Sequence, residues 1–197
     1  MIVRYSAMLA PILLWCGTPA HAADIATIDC VGKLLGPATM DSISNDFQAS
    51  IEGARNGMAG LPPKKGSASD PSVRAEVVKA ARLCGEAHGW TIAARAAAGE
   101  YAMAELALPL FEAAVRDDGI DPGQITRLSK QLPSTGSGWE KESLSEPEKR
   151  LRVVAAVNLR LLRAGIFLQT PQQRRDVGAL ALWLVVLDNA QTDFIAG

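Results

Sequence analysis

The chain has 197 residues, of which 48% are apolar and only 5% aromatic, and its 20 lysines and arginines nearly balance 21 acids to give a formal net charge of −1. That length fits one domain. The near-neutral balance, with cations read as spread rather than massed, gives no electrostatic case for nucleic acid or an anionic membrane surface. Much of the apolar content is alanine, which suits closely packed helices better than a sandwich of β-branched and aromatic strands.

Residues 1–22 read MIVRYSAMLAPILLWCGTPAHA. Arg4 stands near the front, an apolar core follows from Ala7 to Trp15, Gly17 and Pro19 break it, and Ala20-His21-Ala22 forms a small-x-small triplet. This is the pattern of a secretory signal peptide cleaved before Ala23. Two alternatives stay open: an uncut N-terminal anchor, and a lipoprotein modified at Cys16. Cleavage leaves a single helical domain over 23–197 with a net charge of −2, and a periplasmic or secreted location. Of the three cysteines, Cys30 and Cys84 survive it. In an oxidising compartment they are expected to pair, because neither lies in a C-x-x-C redox spacing.

In chain order, Ile25–Leu35 is ambiguous and is read at most as a short helix delivering Cys30, ended by Gly36-Pro37. A helix over 38–54 follows, with Met40, Ile43, Phe47 and Ile51 on one face. A long loop is expected near 54–70. Asp70-Pro71 opens the next helix, whose inward stripe is Val73, Val77, Ala80, Ala81 and Cys84, widened by Val78. Gly85 and Gly89 predict a bend near His88. Trp90–Arg116 is apolar nearly all round, with Glu105, Glu112 and Arg116 on one edge, and reads as a buried central helix. Pro109 is expected to kink it, and Gly99 is where it would divide. Asp121-Pro122 starts a short helix to about Leu132, with Ile125, Leu128 and Leu132 facing inward. A second loop covers 133–147. Ser145 and Glu148 form a capping box for a helix whose inward stripe is read as Leu151, Val154, Ala155, Leu161 and Leu162, with Asn158 among them and Arg152, Arg160 and Arg163 outside. Thr170-Pro171 opens the last helix, whose uncharged centre Val177–Leu187 is too short to span a bilayer. Asp188–Gly197 is read as a tail with Phe194 tucked in. The expected fold is all-α, an irregular bundle of about six helices around an alanine-rich central helix with one disulfide.

No residue pattern marks a catalytic centre, a metal site or a cofactor. His88 is the only histidine beyond Ala23 and lacks the partners a zinc site needs. It reads as the residue closing a helix beside Gly89, and as a weak binding candidate. Thr135–Gly138 is glycine-rich without the lysine of a phosphate loop. Glu86, Glu100 and Glu105 lie near the central stretch and are the candidates for glycan hydrolysis, a reaction whose paired carboxylates leave no spacing signal. Trp139, alone in a polar loop, is a candidate partner contact. Trp90 and Trp183 read as core. Asn158 must find hydrogen-bond partners if buried, at the Pro109 bend or Tyr101, or it lines a small pocket. The expected activity is that of a non-enzymatic binding or accessory module for an unknown protein or small ligand. The alternatives are a cell-wall hydrolase using glutamates, and a carrier of a small apolar ligand beside Pro109 and Asn158. No nucleic acid and no membrane span beyond residue 22 are expected.

Overall fold

The structure is a computed structural model that describes residues 23–58, 71–130 and 146–197. Residues 1–22, with the expected signal peptide, and Trp139 lie outside the described residues. A short 3-10 turn at Ile25–Thr27 leads into seven α-helices: α1 Cys30–Leu34, α2 Pro37–Met58, α3 Pro71–His88, α4 Ile92–Asp117, α5 Pro122–Ser129, α6 Glu146–Arg163 and α7 Pro171–Ala196. There is no strand among the described residues. The all-α bundle is as expected, and its seventh helix is the short α1 in the ambiguous stretch.

The bundle is organised on one pair. The most extensive contact in the molecule is between α4 and α7. Ala94, Ala97, Ala98 and Tyr101 share one core cluster with Ala190 and Phe194 from the end of α7. Ala107, Phe111, Ala114 and Val115 share a second with Val177, Leu180 and Ala181 from its start. The two helices therefore run antiparallel. The alanines let their backbones approach closely, so burial is gained through packing density rather than side-chain size. Phe47 of α2 packs against both clusters, and its ring meets Trp183 edge-on at 5.1 Å.

The helix ends follow their chemistry. Thr91 caps α4 by accepting from the Ala94 amide, and α4 continues unbroken through Gly99 and Pro109. Asp121 caps α5 ahead of Pro122. Thr170 and Gln173 form a reciprocal capping box on α7, which satisfies two amides that would otherwise lack partners. Gly89, Gly119 and Gly165 have positive φ. They close α3, α4 and α6 in the left-handed conformation that glycine adopts without a steric cost.

Five expectations are corrected. First, α2 does not end at Ala54 but runs to Met58, because the Arg55 side chain and the Ala54 carbonyl are tied to α7; the rest of the loop expected near 54–70 lies outside the described residues. Second, Val78 faces solvent while the rest of the expected stripe of α3 is buried; the helix carries through Gly85, and the bend expected near His88 is present, since α3 ends at His88 and the chain turns at Gly89. Third, Ile92 is 84% exposed, since it stands about 200° of helix turn from Ala94, the buried residue of the first turn of α4. Fourth, no free tail follows Leu187. α7 continues to Ala196, because Ala190 and Phe194 extend its buried stripe, and Phe194 meets Trp90 edge-on at 4.9 Å. Fifth, the buried stripe of α6 is Val153, Val157 and Leu161. Leu151, Ala155 and Leu162 are exposed, and Val154 packs against Gly178 of α7. Glu146 and Pro147, expected in the loop, already belong to α6.

α7 is the one described helix long and apolar enough to cross a membrane. It supplies residues to both core clusters.

Candidate functional site

Cys30 at the start of α1 and Cys84 in α3 form a disulfide with Cα atoms 6.0 Å apart, as the cysteine pattern implied. Around it the N-terminal segment is fixed to the core. Trp90 is buried, and its indole N–H donates to Thr27 Oγ1 at 3.1 Å. His88, the last residue of α3, is exposed and stacks on Trp90 with ring centroids 5.6 Å apart. It forms one wall of an open groove of about 260 Å³, completed by Ala26, Thr27, Cys30, Lys33 and Leu34. No group of three or more His, Cys, Asp or Glu able to hold a metal occurs among the described residues.

The densest polar cluster lies elsewhere, where the ends of α2 and α4 meet the start of α7. Arg55 donates from Nε and Nη2 to Asp176 Oδ2 at 3.2 and 2.9 Å, and from Nη2 to the Ala114 carbonyl at 3.1 Å. Gln172 Nε2 donates to Asp118 Oδ1 at 2.7 Å, and Gln173 Nε2 donates to the Asp118 carbonyl at 3.0 Å. Arg175 donates to the Ala54 carbonyl. Two guanidinium groups thus meet carbonyls at helix C-termini, where the helix dipole favours cations. Asp176 is buried. Burial raises the Asp118 carboxyl above its ordinary range, and the neighbouring Asp176 charge acts in the same direction, opposed by Arg55 and Gln172. Asp118 Oδ2 is buried with no donor, which also favours a proton there. A carboxyl beside a carboxylate is the raw material of acid–base chemistry. Here both groups are engaged by protein donors from α2 and α7, and Arg55 also holds a carbonyl of α4, so the arrangement is a joint that locks α2 and α4 to α7.

The expected glutamates do not converge. Glu86 pairs with Arg82 at 2.6 Å on α3. Glu105 accepts from the Tyr101 hydroxyl at 2.8 Å. Glu100 is exposed, and five residues of helix turn it roughly 140° away from Glu105. Asn158 is half-buried, and its Oδ1 is buried without a hydrogen-bond partner; the Tyr101 hydroxyl is taken by Glu105. Pro109 is exposed.

The largest departure from expectation is on α6. Four large apolar side chains face solvent there and in the connection that follows: Leu151 at 70%, Leu159 at 49%, Leu162 at 52% and Phe167 at 68%. On the helix Leu151, exposed Ala155, Leu159 and Leu162 recur at spacings of four, four and three, so they share one face. The opposite face, Val153, Val157 and Leu161, fills the core. Nor are the cations spread: from Lys149 to Arg175 the sequence holds seven of the 20 lysines and arginines and no acid. That run was the signal in the sequence that pointed here. Searches against protein-family models, curated proteins and solved structures give no match to this chain.

Proposed function

We propose that this protein is an exported, non-enzymatic binding or accessory module whose working surface is the outer face of α6. The observation that carries this reading is the stripe of Leu151, Leu159 and Leu162 left in water on a helix whose other face is already packed. Single exposed leucines are ordinary. A row of them on one helix face forgoes roughly 1.5–3 kcal/mol per side chain relative to burial, and contiguous exposed apolar surface marks interaction sites. The Cys30–Cys84 disulfide supports the export half of the reading, because such bonds persist in oxidising compartments. The secretory pattern of residues 1–22 agrees with it.

Photo-crosslinking in cells tests the reading. A benzophenone side chain placed at position 159 is expected to give an adduct, to protein or to lipid, in the exported fraction, whereas the same group at position 96, on the exposed side of α4, gives none. Equal labelling at both positions, or none at 159, would sink the proposal.

A further inference from the structure

We propose that the partner of the α6 face is the surface of a bilayer rich in anionic phospholipid, on which the helix lies parallel to the membrane plane. This rests on the reading of that face as the working surface and names what it meets.

The geometry is that of an interfacial helix grafted on a folded bundle. At about 100° per residue, Leu151, Ala155, Leu159 and Leu162 occupy roughly 80° of the α6 circumference. Positions 152, 160 and 163, all arginine, take the next ~80°. The solvent-facing side is therefore divided lengthwise into an apolar strip and a basic strip. Arg163 is exposed and Arg160 half-buried. Glu148, in the first turn, is the one acid on this side. Phe167 adds an exposed ring just beyond the helix end.

A bilayer surface satisfies both strips at once. Leucines and phenylalanine enter the boundary between headgroups and acyl chains, and guanidinium groups reach phosphates along their apolar stems. The chain as a whole has a net charge of −1, so the acid-free run from Lys149 to Arg175 is a true segregation of charge. A basic amphipathic helix of this kind reads as membrane-surface binding. A protein partner fits less well. The anchors of protein interfaces are enriched in tryptophan, tyrosine and arginine and poor in leucine; the arginines here suit either surface, but the apolar strip is leucine and alanine.

The test is co-sedimentation of the exported chain with extruded vesicles. Vesicles of phosphatidylethanolamine with phosphatidylglycerol are compared with vesicles of pure phosphatidylcholine, at low and at high salt. Binding is expected to the anionic vesicles alone and to fall as salt screens the charges. Removing one surface arginine should weaken it roughly fivefold, and Arg160→Gln with Arg163→Gln together about thirtyfold. Leu159→Ser with Leu162→Ser should weaken it at unchanged charge, and circular dichroism confirms that each variant is folded. Equal binding to both vesicle types, no binding, or binding indifferent to both pairs of substitutions would overturn the inference. If vesicles fail while position 159 still crosslinks to a protein, the partner is an acidic protein surface and the reading of the face survives. If both fail, neither stands.

Discussion

Arg55→Met removes the cation paired with Asp176 in the joint between α2, α4 and α7 and is expected to be among the most damaging single substitutions in this chain. Asp176 keeps 3% of its side-chain surface exposed, so its carboxylate would be left buried with no counter-charge. Breaking one partner out of a buried ion pair costs about 3–5 kcal/mol, and for a chain of this size each kcal/mol lowers the melting temperature by roughly 2–4 °C. A fall of about 10 °C at pH 7 is expected. Asp118 behaves in the opposite sense to a salt-bridged acid already in the wild type. Its folded pKa is raised, so its contribution is fully present below the unfolded value of about 3.8 and is lost as pH rises through the folded one. Asp118→Asn fixes the neutral form and is expected to stabilise the protein at pH 7 by about 1 kcal/mol, an advantage that vanishes in acid. Thermal melts of wild type, Arg55→Met, Asp118→Asn and Arg55→Met/Asp176→Asn between pH 4 and 8 supply the whole set. The double variant should recover much of the loss, since a neutral pair replaces a stranded charge. A deficit below about 0.5 kcal/mol for Arg55→Met at pH 7, or a double variant no more stable than Arg55→Met, would refute the reasoning.

Three further outcomes are expected. Replacing Cys30 and Cys84 by alanine removes a cross-link between residues 54 apart in sequence, worth ~4 kcal/mol in the chain-entropy description, and lowers the melting temperature by more than 8 °C; a shift under 2 °C would contradict it. Gly99→Ala has room, since the added carbon would sit 3.6 Å from Val77 Cγ1, and should stabilise α4 by about 0.5–1 kcal/mol, whereas Gly178→Ala presses within 3.2 Å of Val154 Cγ1 and should not. Tyr101 is pushed up to about 12 by burial and by its bond to Glu105. A chain produced from Ala23 onward holds it as its one tyrosine, so ultraviolet titration of that chain is a direct readout: ionisation near pH 10 instead would show that the hydroxyl is not held in the core. The same raised value means stability declines as pH climbs from 10 through 12.

What could be read from sequence was local. Spacings of three and four gave α2 and α3 their inward faces, aspartate-proline and threonine-proline pairs located three helix starts, and the absence of competing cysteines beyond residue 22 left one pairing. The rest required contacts across the chain. Arg55 and Asp176 stand 121 residues apart, and an ion pair at that distance has no spacing to detect. α6 deceived because it is apolar on two sides: Leu151, Ala155 and Leu162 make as regular a stripe as Val153, Val157 and Leu161, and only the position of α5 and α7 decides which is inside. The polar residues after Leu187 resembled a tail because Asp188, Thr192 and Asp193 are exposed on a helix whose buried side, Ala190 and Phe194, is sparse. Counting cations over the whole chain concealed their concentration between Lys149 and Arg175.

The outer face of α6 is the centre of this account, and its accessibility in place is the most direct measure of it. A single cysteine introduced as Leu159→Cys should react rapidly with a water-soluble maleimide in the purified protein, because that face is in solvent. In intact cells the same thiol should be strongly protected, while Ala96→Cys on α4 reacts equally in both settings. If Leu159→Cys labels as fast in cells as in purified protein, the face is unoccupied where the protein works, and the account is wrong.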